Sequence, residues 1–179
     1  MNTVNRKQQV LQVLAKPVRS AVEAEGLDFE KVQEIRLRIG KPLILVYDNE
    51  ERLLPTGVST RYLITKEEIR ETLEYISHYS LYAYEHEMRQ GFITIEGGHR
   101  VGVMGKAILE GNKVKNLQYI SSVNIRMSHE ILGCADKVMP YITKNRQVCH
   151  TLVISPPCCG KTTLIRDLIR QISDGNRYV

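Results

Sequence analysis

The stretch LVISPPCCGKTTLIRDLI, residues 152–169, constrains the fold of this chain more than any other. An apolar run, TLVIS, leads into a short loop. The loop leads into TTLIRDLIRQI, where Leu164, Ile165, Leu168, Ile169 and Ile172 recur at helical spacing. Strand, tight loop and helix in that order match the setting of a phosphate-cradling loop, G-x-x-x-x-G-K-[ST]. Gly160, Lys161 and Thr162 fill its last three positions, and Ser155 stands at the first.

The chemistry follows from the residue types. Backbone N–H groups of such a loop and of the helix start point at anionic oxygen. The expected cofactor-binding residues are Ser155, Pro156, Pro157, Cys158, Cys159, Gly160, Lys161, Thr162 and Thr163. Lys161 would neutralise the β- and γ-phosphates of ATP, and the Thr162 hydroxyl would ligate Mg²⁺. Ser155 and Cys158 depart from the pattern, because each carries a Cβ where glycine is usual. A Cβ resists positive φ at roughly 1–2 kcal/mol per residue. The plainer reading is an ordinary strand–turn–helix, and the context argues against it.

Upstream the periodicity changes repeatedly. Val10, Leu11, Leu14, Val18, Ala21 and Val22 mark a helical face that Pro17 divides in two. QEIRLRIG alternates, with Ile35, Leu37 and Ile39 on one side of a strand and Glu34, Arg36 and Arg38 on the other. LILVYD reads as its partner, with short strands near 52–54 and 61–64. Thr65 and Glu68 form a capping-box pattern that opens a helix, extended by the tyrosine-rich segment to Gly91. From Phe92 the period is two. Strands are expected near 92–96, 99–109, 113–119 and 122–128, with a bulge or close backbone approach at Gly102 and Gly105. A helix is expected over 134–143. The polar residues 144–150 then connect to TLVIS. This predicts an α+β N-terminal domain over 1–145, helices plus an antiparallel sheet. Residues 146–179 would be the first strand, P-loop and helix of a RecA-like α/β P-loop NTPase domain.

Composition narrows the function class. The net charge of +5 is modest and spread along the chain. Tyr75, Tyr79, Tyr82 and Tyr84 have no basic residues interleaved, so they read as packing groups rather than a nucleic-acid platform. The N-terminus lacks the apolar core of a signal peptide, and no run approaches the length of a membrane helix. Cys134, Cys149, Cys158 and Cys159 have no zinc-pair spacing and read as reduced thiols of a cytoplasmic protein.

Four segments together, EIRLRIGKPL, GGHRVGVMGKA, ISSVNIRMSHEILGCADKVMPYI and LVISPPCCGKTTLIRDLIRQIS, resemble the stage III sporulation protein AA family, a branch of the secretion-type ATPases. The resemblance covers residues from about 10 to 179. It implies a homo-oligomeric ring, with a hexamer as the implied size, working at the mother cell–forespore channel. The partner would be a membrane-associated channel protein, with the chain cytoplasmic or peripheral at the inner face of that membrane. It also implies that arginines of the N-terminal domain reach nucleotide phosphates on closure. Arg100 and Arg126 lie in the matching strands and, with Lys161, are the candidate catalytic residues. The alternative for each arginine is a solvated strand face.

An ATPase of this type needs a later apolar strand ending in an acidic residue. None follows the loop before Val179. The expectation is a chain cut short after the P-loop helix, belonging to an ATPase but not itself hydrolysing ATP. The alternative is a non-enzymatic assembly module with a vestigial loop.

Overall fold

A computed structural model describes residues 3–54, 62–128, 131–157 and 159–175. The chain divides into two compact units, Met1–Ser128 and His129–Val179. The boundary lies upstream of the 145/146 position expected from the polar linker.

The first unit opens with α1 (Thr3–Leu11) and α2 (Lys16–Ala24). Pro17 sits in the first turn of α2, where a missing N–H costs nothing. The strands β1 (Val32–Arg38), β2 (Leu43–Tyr47) and β3 (Glu50–Leu54) form a meander. After α3 (Lys66–Ile76) and α4 (Glu85–Arg89) come β4 (Phe92–Thr94), β5 (Arg100–Glu110) and β6 (Lys113–Arg126). The sheet order is β3-β2-β1-β6-β5-β4, and every pairing is antiparallel. Val10, Val18 and Val22 of the helices and Leu14 of their connection are fully buried with Ile35, Leu37, Leu45, Val101 and Ile125 of the sheet. The helical stripe and the strand alternation therefore meet in one core. The buried Ala15 N–H donates to Thr72 Oγ1 at 3.1 Å, tying α2 to α3.

The capping box at α3 is present in both halves. Thr65 Oγ1 accepts from the Glu68 N–H, and Glu68 Oε2 accepts from the Thr65 N–H at 2.8 Å. The helix does not run on to Gly91. It stops at Ile76, and His78 and Tyr79 adopt φ of 48° and 61°. The Tyr79 N–H closes the turn on Glu74 O at 2.8 Å. Ser, His and Tyr are weak helix formers, and the segment beyond Ile76 has no continuous apolar face to bury. A short 3₁₀ turn, Leu81–Tyr84, leads into α4.

The strands expected at 113–119 and 122–128 are one strand, β6. Its break is a bulge, not a turn. Met104 pairs with Ser122 and Lys106 with Gln118, so Tyr119–Ser121 stand opposite Gly105 alone. Gly105 is required there, because a Cβ would lie 2.6 Å from the Gln118 carbonyl oxygen and 3.1 Å from the Ile120 Cα. Both obstacles are backbone. Gly105→Ala is expected to destabilise the first unit by about 1–3 kcal/mol, the cost of overpacking, read as a lowered urea midpoint at unchanged slope. At Gly102 a Cβ would meet only ordinary contacts. The strand expected near 61–64 is reduced to a bridge between Pro42 and Leu63, and Arg61 lies outside the described residues.

The second unit holds α5 (Met139–Ile142), β7 (Thr143–Lys144), β8 (Gln147–Val148) and α6 (Lys161–Ser173). The helix expected over 134–143 shrinks to α5. Before it the chain makes turns, such as Val138 N–H to Ala135 O at 2.8 Å, and Pro140 falls in the first turn of α5, where a missing N–H costs nothing. Residues 143–148 form a tight hairpin rather than a linker, with Asn145 and Arg146 both at positive φ. The strand expected at TLVIS does not form. A strand is defined by its neighbour, and among the described residues none pairs with 151–155. Leu152 and Ile154 are each 82% exposed.

Candidate functional site

The loop of the second unit ends at Gly160, the N-cap of α6, with φ 73°. That left-handed conformation is where glycine is needed, and the sequence supplies it. The first helical bond runs from the Leu164 N–H to Gly160 O at 2.9 Å. No side chain caps the helix, so the N–H groups of Lys161, Thr162 and Thr163 lack partners within it. Thr162 is exposed at this end. Cys158 lies outside the described residues.

Lys161 is drawn back over the loop. Its Nζ donates to Ser155 O and Pro156 O, both at 2.8 Å, and lies 3.4 Å from Ser155 Oγ. Ser155 Oγ in turn donates to Pro156 O at 3.2 Å. The first-glycine position thus carries a hydroxyl beside the ammonium. One cation, several loop oxygens and an uncapped helix start lie within one short segment. Such a site can accept an anion by exchanging loop carbonyls for anionic oxygen around Nζ.

The face that α6 buries differs from the apolar stripe in the sequence. Leu168 is buried and Leu164 and Ile172 partly so, against Ala135, Met139 and Ile142. Ile165 and Ile169 are exposed, Ile169 to 61%. Asp167 and Gln171 are buried instead. Asp167 Oδ2 accepts from the Ala135 N–H at 2.9 Å, and Oδ1 accepts from Arg170 at 2.7 Å. Gln171 Nε2 donates to Asp136 Oδ1 at 2.7 Å and to Asp167 Oδ2 at 3.1 Å. Burial alone would raise the Asp167 carboxyl. Hydrogen bonds from Ala135, Arg170, Gln171 and Gly133 outweigh it and hold the carboxyl down at about 2. Nothing in helical periodicity marks this residue. Its neighbours four residues away, Thr163 and Gln171, are polar, so the row reads as a solvated face.

The first unit brings Arg100 and Arg126 together. They are register partners across the β5–β6 ladder. Like charges in that arrangement repel, and each has a local counterweight. The Arg100 guanidinium lies over the Phe92 ring, 3.7 Å from its centroid. Arg126 Nε lies 3.5 Å from Glu34 Oε1, with the rest of the side chain 70% exposed. Both line a cleft of about 260 Å³ with Gln90, Gly91, Phe92, Gly102 and Asn124. Asn124 Oδ1 is buried there without a partner among the described residues. Glu34 is nearly buried, contrary to its outward place in the strand alternation, and also takes Arg36 at 2.8 Å. It stays on that outward face, opposite Arg126 in register, and the side chains of Arg36 and Arg126 cover it.

Among the described residues no cluster of His, Cys, Asp and Glu could hold a metal ion, and Cys134, Cys149 and Cys159 are free thiols. No described helix is long and apolar enough to cross a membrane.

A family model described as sporulation stage III, protein AA, matches residues 4–179. The chain belongs to that family. Stage III sporulation protein AA of Bacillus subtilis (strain 168) is 38% identical over 170 residues, covering 94% of this chain and 53% of the relative. The chain thus spans about half the length of the stage III protein AA relative it matches. Among solved structures, the pilus retraction motor PilT with bound ADP aligns at TM-score 0.50 and 18% identity, over 94% of this chain and 44% of that one. The Legionella pneumophila ATPase DotB aligns at 0.47 and 15%, over 88% and 42%. The PilT likeness carries the fold, an α+β domain ahead of a P-loop NTPase fold. Within this stage III protein AA chain, the arginine pair falls in the unit Met1–Ser128 and the loop in the unit His129–Val179.

Proposed function

We propose that the chain is the N-terminal portion of a sporulation motor that binds Mg-ATP through Ser155–Thr163 and works at the channel between mother cell and forespore. The observation that carries this reading is the geometry at Lys161. Its ammonium is gathered by Ser155 O and Pro156 O beside an uncapped helix start. An ammonium so placed is poised to meet phosphate. The residues present fit the cofactor: Thr162 offers a hydroxyl to Mg²⁺, and the N–H groups of Lys161–Thr163 offer donors to phosphate. Bound, the metal would shield the phosphate charge. Support for a nucleotide also comes from the PilT structure, which shares the fold and was solved with ADP. A homo-oligomeric ring, contact with a membrane-associated channel protein and a cytoplasmic setting belong to the same proposal.

Calorimetric titration of the chain with Mg-ATP tests it. Saturable binding is expected. Ser155 is not held at positive φ, so Ser155→Gly with Cys158→Gly relieves no strain there and is expected to bind at least as tightly as wild type, with the glycines of the phosphate-loop pattern restored. No binding by either protein at millimolar Mg-ATP would leave the alternative, an assembly module with a vestigial loop. Ser155 at the first-glycine position is the observation that favours that second reading.

The arginines are proposed to stabilise phosphate charge. Arg126→Ala is a clean probe, because Glu34 loses its contact with Arg126 but keeps its ion pair with Arg36. In a protein carrying the complete P-loop domain, the substitution is expected to lower phosphate release about tenfold, the scale of one charged hydrogen bond. Unchanged turnover removes Arg126 from the role.

A further inference from the structure

We propose that the outer half of the β5–β6 hairpin is a docking arm, and that its occupant is the acidic, tyrosine-rich segment 66–89 of a second copy of this chain. The arm is visible in the pairing. β1 pairs with β6 only over Ser122–Arg126, and β4 pairs with β5 only over Arg100–Gly102. Past the Gly105 bulge the two strands continue as a ribbon, from Lys106 opposite Gln118 to Glu110 opposite Lys113. No residue from 104 to 120 is buried. A two-stranded ribbon without a hydrophobic face to cover is marginal in water. Yet this one exposes Met104, Leu109 and Tyr119, the last 73% exposed with φ 51°.

The partner follows from charge. The ribbon carries Lys106, Lys113 and Lys115 against the single acid Glu110. Segment 66–89 carries five glutamates outside the buried capping-box residue Glu68, against Lys66, Arg70 and Arg89. It too exposes apolar groups, Leu81, Tyr82 and Tyr79. Tyr79 is held at φ 61° and is 73% exposed, like Tyr119 on the ribbon. Tyr75 packs edge-on against it, with centroids 6.0 Å apart. Each surface therefore pairs exposed aromatic and aliphatic groups with charge of opposite sign, and both lie on the same unit. Different patches meeting head-to-tail make a heterologous contact, the kind that closes rings. The inference rests on the ring reading above and names one of its contacts.

Sedimentation velocity of the chain across concentration and salt tests it, with charge reversals on each side. Salt-sensitive self-association is expected. Lys106→Glu/Lys113→Glu and Glu74→Lys/Glu85→Lys are each expected to weaken it at least tenfold. Mixing the two variants is expected to restore it, since the reversed ribbon then meets the reversed segment. Restoration on mixing also shows that both variants are folded. Association that both variants keep would overturn this contact while leaving the ring reading standing. A chain that stays monomeric at high concentration in low salt would overturn both. If the ribbon variant instead loses binding to phosphatidylglycerol vesicles and the wild-type chain does not self-associate, the arm is a membrane contact and the proposal fails.

Discussion

Asp167→Ala is expected to cost the second unit about 3 kcal/mol, enough to strip hydrogen-exchange protection from α6. The cost has three parts, one of them the lost bond from buried Gln171 Nε2 to Asp167 Oδ2. The Ala135 N–H is buried and loses its acceptor, a penalty of about 1–3 kcal/mol. Arg170 loses its partner at Oδ1, although its own side chain is one-third exposed, so water recovers part of that. The unit has little to set against the loss. Its core is Ala135, Met139, Ile142 and Leu168, with three partly buried neighbours, and small cores are marginal. Asp167→Asn keeps acceptor capacity for Ala135 but not the charge, and is expected to cost about half as much. The pH dependence has a fixed sign. The native carboxyl sits at about 2, below its ordinary value of 3.8. Its contribution is therefore complete above about pH 4 and is lost as pH falls through about 2. The shift corresponds to roughly 2 kcal/mol. Hydrogen-exchange mass spectrometry over 161–173 at pH 7 and pH 3 reads both effects. Wild-type protection in α6 that the alanine variant fully retains would refute the account.

The sheet was legible in the sequence because its two signals are local. Ile35, Leu37, Val101 and Ile125 alternate with polar residues, and each is fully buried in the sheet. Thr65 and Glu68 announced α3 three residues apart, and both capping bonds form. The misreadings have a common physical source. Helix 134–143, the long tyrosine helix and the strand TLVIS were inferred from periodicity, while their outcome depends on partners far along the chain. TLVIS carries the composition of a buried strand but has no described neighbour to pair with. The merger of β6 turns on a bulge opposite Gly105, and a glycine announces a bend without saying whether the ladder resumes beyond it. The candidate site divides the same way. Gly160, Lys161 and Thr162 could be read from spacing alone. The register that sets Arg100 against Arg126, and the lone Asn124 oxygen between them, are products of the fold.

Lys161→Ala is expected to weaken Mg-ATP binding by roughly one hundredfold, to the edge of detection by calorimetry. Of the loop's side chains, Lys161 alone brings a full positive charge to the phosphates, and a hydrogen bond to a charged group is worth about 1.5–3 kcal/mol. The substitution also removes the bonds from Nζ to Ser155 O and Pro156 O. Loss of binding could therefore report a loosened loop rather than a missing cation. Two further variants separate these. Lys161→Arg keeps the charge and donors but not the compact ammonium, so it is expected to recover part of the affinity. Thr162→Val leaves Lys161 and the loop carbonyls untouched, and removes only the exposed hydroxyl offered to the metal. Its binding of ATP is expected to match wild type in EDTA and to fall about tenfold behind it when Mg²⁺ is added. A cradle built for Mg-ATP must show that metal-dependent difference at Thr162 and a charge-dependent one at Lys161. If Lys161→Ala binds Mg-ATP as well as wild type does, the ammonium is a structural clamp on the loop, and the proposed role for Lys161 at the phosphates falls.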